Sequence, residues 1–174
     1  VSLLRQCRKV FDRHQDIFGL GQVLSALADV EDTLGHRDIA LNLERDALRL
    51  RYRSNDPNEI AISHQNLGLI LFEQGNDLAH AAAHITAASV IWTLTGGGHL
   101  DNSLQALTFY LADAPDLSNT LGGLDSLCRI IDQIDGFHFG KLVAILAPEP
   151  AAAQRAMGIV VATVRARISS GLHT

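Results

Sequence analysis

Cysteine is scarce in this 174-residue chain, and positive charge is nearly missing from its middle. The two cysteines, Cys7 and Cys128, stand far apart with no flanking ligand pattern. That excludes a disulfide framework and a zinc ribbon, and leaves both as small core residues. Long apolar runs are absent too: the longest, such as Leu142 to Leu146, fall far short of the roughly 20 residues that a membrane-spanning helix needs. The first residue is Val1, and the basic stretch from Arg5 to Lys9 has no apolar run of signal-peptide kind behind it. The expectation is therefore a segment excised from a longer protein, cytoplasmic and not associated with a membrane. Between residues 54 and 136 only Arg129 stands against ten acidic residues, whereas residues 1–53 carry nine Arg or Lys against eight Asp or Glu. Such an acidic middle repels phosphate backbones and speeds encounter with basic partners, so nucleic acid is not an expected ligand.

Recognisable catalytic signatures are missing as well. His80 and His84 are spaced to share a metal on one helix, but the Glu of H-E-x-x-H is absent and no further ligand completes a set. His64, His99 and His138 read as isolated packed or surface residues. Gly96 to Gly98 has neither a preceding strand nor a following Lys-Ser or Lys-Thr, so it reads as a helix stop and not as a phosphate loop. No nucleophile elbow, kinase motif or paired-carboxylate signature occurs. The sequence assigns no catalytic residue, no metal and no cofactor.

What is present is repetition. Leu27, Ala28, Gly35, Ala40, Ala47 and Leu48 are matched 40 residues later by Leu67, Gly68, Gly75, His80, Ala87 and Ala88. A weaker third copy runs through Leu107, Thr108, Pro115, Thr120 and Leu127. In the other direction, Arg13 to Asp16 correspond to Arg53 to Asp56, which puts Val1 to Arg13 on the second helix of an incomplete repeat. Each unit reads as two helices. Apolar spacing predicts helices over Gln22 to Leu34 and Asp38 to Tyr52, then Ile60 to Phe72 and Leu78 to Leu94. Weaker patterns predict Leu100 to Leu111, Leu117 to Ile134, a short segment from Phe137 to Leu146, and Ala151 to Ile168. The expected organisation is one domain: the end of a truncated repeat (1–16), three repeats (20–56, 60–95 and 100–134), and a degenerate pair or cap (137–170).

The stretches LADVEDTLGHRDIALNLERDAL and NLGLILFEQGNDLAHAAAHITAA resemble tetratricopeptide repeats, with a period similar to the longer kinesin-light-chain type. The resemblance implies an all-α fold, an α-solenoid in which antiparallel helix pairs stack into a right-handed superhelix. It requires small residues at the helix crossings, which Ala28, Ala40, Ala47, Gly68 and Ala87 supply. His80 departs from the alanine expected there, so either the helix shifts to use Ala79 or the packing opens locally. The resemblance also implies a concave groove lined by the first helices. Its positions fall on Gln22, Ser25, Ala26, Asp29, Asp32 and Thr33, then on Ile62, Gln65, Asn66, Leu69, Phe72 and Glu73. The third unit supplies Asn102, Gln105, Ala106, Phe109 and Asp113.

No Lys or Arg is among these positions, which argues against a clamp for a C-terminal carboxylate. Asn66, directly before the Leu-Gly pair, is the position at which the family often binds a ligand's main chain, as suits an amide that both donates and accepts. Asp29, Asp32, Glu73 and Asp113 would make the groove negative, and Leu69, Phe72 and Phe109 would offer apolar pockets. The implied function is a protein-interaction scaffold holding a basic, partly hydrophobic peptide. Two alternatives stay open: a sensor or self-associating assembly arm of a larger bacterial signalling protein, and a metal-dependent enzyme using His80 and His84.

Overall fold

A left-handed backbone residue interrupts the first half of the chain about every twenty positions. Gln15, Gly35, Asn55, Gly75 and Gly96 all have φ between 55° and 79°. Each closes a helix, because a residue turned this way cannot continue it. In a computed structural model of the protein, which describes residues 2–75, 77–112 and 122–171, the helices so delimited are α1 (Ser2–Arg13), α2 (Ile17–Thr33), α3 (Arg37–Ser54), α4 (Pro57–Gln74) and α5 (Leu78–Thr95). They are followed by α6 (Leu100–Ala112), α7 (Leu124–Asp132), α8 (Phe139–Leu146) and α9 (Pro150–Ser169). Among the described residues the fold is all-α, with no strand and no helix long and apolar enough to cross a membrane.

Aspartates cap the starts of α2, α4 and α5. The Asp16 carboxylate accepts from Gly19 N–H at 2.9 Å, and Asp56 accepts from Asn58 and Glu59 at 3.0 and 3.2 Å, with Pro57 opening α4. Asp77 accepts from His80 N–H at 3.1 Å. These carboxylates satisfy otherwise orphaned donors and sit at the positive helix end.

Connections of two to four residues fold consecutive helices from α1 to α6 back on one another. The α2 helix packs on α3 and α4 on α5, and the pairs meet where α3 packs on α4. Ala28, Ala40, Ala47 and Ala87 are wholly buried, as close crossings require. At Gly68 the approach is tighter still, since a Cβ there would lie 2.7 Å from Ile85 Cδ1. The exception expected at His80 resolves in an unexpected direction. Two residues separate Gly75 from α5 where one separates Gly35 from α3, so α5 starts 41 residues after α3, and Ala81, not Ala79, takes the buried place of Ala40. Ala79 is exposed and His80 turns outward to Asp77, 2.5 Å away.

From residue 122 onward the arrangement departs from a continued row of pairs. The predicted helix over Leu117 to Ile134 is described only from Leu124 to Asp132, and residues 117–121, like Pro115 and Thr120 of the third repeat copy, lie outside the described residues. Among the described residues, α6 packs on α5 and on α9. The α7 and α8 helices cover α5, whose residues Ala81 to Trp92 are all buried. The reason is compositional. The α5 helix is apolar around its whole circumference and needs partners on every side.

Candidate functional site

The residues expected to line the hollow lie on α2, α4 and α6. Phe72 on α4 stacks on Tyr110 of α6 with centroids 3.6 Å apart, and meets Phe109 edge-on at 6.0 Å. Phe109 nevertheless keeps 56% of its surface in solvent. Leu69, one turn before Phe72, is half-buried against the core. Gln65 is half-buried as well, and its Oε1 is shielded from solvent without a hydrogen-bond partner. Asn102 is exposed on α6, and Asp113 lies outside the described residues.

The acids are less free than a negative groove requires. Arg37, at the start of α3, reaches both Asp32 of α2 (3.9 Å) and Glu73 of α4 (3.4 Å), which neutralises part of the expected lining. Asp29 is exposed in part, and its carboxyl is pushed up from the ordinary 3.8 by desolvation and by Asp32, against the pull of Arg51. Asn66 does not stand alone either: its Nδ2 donates to Ser25 Oγ on α2 at 3.4 Å.

Behind Asn66 lies a polar network that joins three helices. Ser25 donates to Glu44 Oε2 at 2.7 Å and Ser63 donates to Glu44 Oε1 at 2.6 Å. Arg51 donates to Ser63 and lies 3.5 Å from Glu44 Oε1 and 3.2 Å from Glu59 Oε2. Gln22 donates to Glu59 at 2.8 Å. Glu44 is fully buried, and desolvation raises its pKa against the hydrogen bonds from Ser63 and Ser25 and the charge of Arg51. By the 41-residue offset Glu44 occupies the place of Ile85, so a charged residue fills a core position with its partners arranged around it.

A second buried polar cluster joins α3, α4 and α5. Tyr52 Oη lies 2.7 Å from His64 Nε2, and His64 Nδ1 lies 2.8 Å from His84 Nδ1. One proton between each pair of atoms satisfies the whole row with both imidazoles neutral. Phe137, in the turn before α8, and Phe139, the first residue of α8, are fully buried and pack edge-on against His64. Desolvation lowers His64 from 6.5 to about 3, and pushes His84 down as well, with His64, His80 and Arg45 adding to it. His64 is therefore not isolated, and His84 pairs with His64 instead of sharing a ligand with His80. Among the described residues no three His, Cys, Asp or Glu side chains gather as a metal-binding group.

The 40-residue period carried no sign of either cluster. Their members are scattered over three helices at separations that no local pattern marks. The available signal was negative: a Glu at an apolar register position and two histidines inside apolar helices. Comparison of the chain with protein-family models, with curated proteins and with solved structures finds no match.

Proposed function

We propose that the chain is a tetratricopeptide-type solenoid segment, a right-handed row of helix pairs, whose first helices present a binding surface for a partly hydrophobic, basic peptide. The observation that carries this reading is the aromatic junction of α4 and α6. There Phe72 is braced from below by Tyr110 and leaves Phe109 standing more than half exposed. A braced, partly exposed aromatic is the kind of rigid anchor that contributes most to a protein interface. Asn66, six residues before Phe72 on the same helix and with its Nδ2 turned to Ser25, offers its amide oxygen to a ligand's main chain. Glu73, which shares Arg37 with Asp32, supplies a negative edge.

The test is an arrayed peptide library with varied basic and apolar content, followed by titration of the best binder. Phe109→Ala is expected to weaken that binder about tenfold or more, the scale of an interface anchor, with an unchanged melting temperature. Asn66→Ala is expected to weaken it less. Absence of binding by every peptide, or a best binder indifferent to both substitutions, would overturn the reading.

Self-association is the second reading, and a specific feature favours it. Leu3 and Val10 share one face of α1, where no described residue is buried, and Phe18 on α2 is also exposed. Sedimentation that depends on protein concentration and vanishes on Leu3→Glu, with no peptide bound, would favour an assembly arm over a peptide scaffold.

A further inference from the structure

A cavity of about 410 Å³ opens between the last turns of α3, the Gly136–His138 turn and α8. Its volume lies within the range of small-molecule sites. Three cations reach it, Arg49 and Arg53 from α3 and Lys141 from α8, and no carboxylate lines it. This concentration is unusual in a chain of net charge −5. The opposite wall is apolar, made by buried Leu142 and exposed Ile145, with Tyr52 and His138 completing it.

Packing explains only part of that charge. Arg53 sits at the negative end of α3, where a cation is favoured. Arg49 is partly engaged, donating to Asp46 at 2.6 Å and to the Asp135 carbonyl at 3.0 Å. Lys141 is different. It lies in the first turn of α8, at the positive helix end, where a cation is disfavoured. The free N–H groups of that turn are served by Asp132, which accepts from Phe139 at 2.6 Å and from Gly140 at 3.2 Å. Among the described residues neither Arg53 nor Lys141 forms an ion pair. Cations that converge from two elements, one of them against a helix dipole, are stabilised by an anion between them.

We propose that this cavity binds a small phosphorylated molecule with an apolar or aromatic body. Arg53 and Lys141 hold the phosphate, Arg49 and His138 flank it, and the body lies along Leu142 and Ile145. A dianionic phosphate monoester offers three terminal oxygens and a second negative charge, against a carboxylate's two oxygens and single charge, and so suits several cations arriving from different elements better. The site is independent of the peptide surface, which lies on other helices.

Titration calorimetry at low ionic strength, with the complete chain and with inorganic phosphate, phenyl phosphate and benzoate as probes, tests it. Phenyl phosphate is expected to saturate one site, about tenfold tighter than inorganic phosphate and tighter than benzoate, with affinity falling as salt is added. The Arg53→Gln, Lys141→Gln double variant is expected to lose about tenfold or more of that affinity. Both residues are exposed, so circular dichroism should be unchanged. Ile145→Ala is expected to weaken phenyl phosphate and leave inorganic phosphate unaffected. Three results would overturn the proposal: no saturable binding up to about 10 mM probe, binding that the double variant retains, or a preference for benzoate.

Discussion

Replacing His64 by Gln should flatten the acid side of the protein's stability curve. Both imidazoles of the row are buried and held neutral, with His64 lowered from 6.5 to about 3. Between those two values the unfolded chain binds a proton that the folded chain refuses, so stability falls as the pH is lowered through this window and levels off below it. For His64 alone, going from about pH 7.5 to about pH 5 removes about 2 kcal/mol of unfolding free energy. His84, lowered in the same direction, adds to the loss. The charged and titratable groups around the row are Arg45 and His80 beside His84, and Asp132 and Cys128 beside Tyr52. Glu44 and Asp29, both raised, act in the opposite sense, because the folded state takes up their protons first as the pH falls. Comparison of the two proteins cancels these contributions. Urea unfolding followed through Trp92, the single tryptophan and itself buried on α5, reads the difference. Wild type should lose about 2 kcal/mol more than His64→Gln over that interval, or roughly 4–8 °C in melting temperature. Parallel curves for the two proteins would refute the assignment of a neutral, buried imidazole.

Two further substitutions probe the packing. Gly68→Ala places a Cβ 2.7 Å from Ile85, and unfolding titrations should show a loss of about 1–3 kcal/mol. Adding Ile85→Val in the same chain should restore part of it, since the two residues touch. Glu44→Ala removes the acceptor for Ser25 and Ser63 and leaves Arg51 with Glu59 as its one carboxylate partner among the described residues, for an expected loss of about 3–5 kcal/mol. Glu44→Gln, which keeps an acceptor, should lose clearly less by the same measurement.

The helices from α2 to α5 were legible because the chain marks them locally. Aspartate caps, left-handed stops and small residues at crossings each act within one turn of their own position, so the predicted and observed boundaries agree to within three residues except at the start of α2, which begins at Ile17, five residues before the predicted Gln22. The register at His80 was misjudged for the same reason: one added residue between Gly75 and Leu78 moves a whole helix along, and a strict 40-residue comparison is blind to it. The C-terminal third was harder to read. What places α9 on α6, and Phe137 against His64, is the unshielded surface of α5, a property of the assembled bundle and not of residues 122–171 themselves. The candidate surface was legible in its aromatic part, where Phe72 and Phe109 meet. Its charge was not, because Arg37 enters from outside the predicted lining.

The encirclement of α5 decides where this chain can be cut. Its sheath is drawn from both directions along the polypeptide, from α4 before it and from α6, α7, α8 and α9 after it. A fragment ending after α6 would expose a greasy rod to water and would be expected to clump. The tail is therefore no dispensable appendage, and shuffling or grafting of the paired helices would have to carry the final fifty residues along.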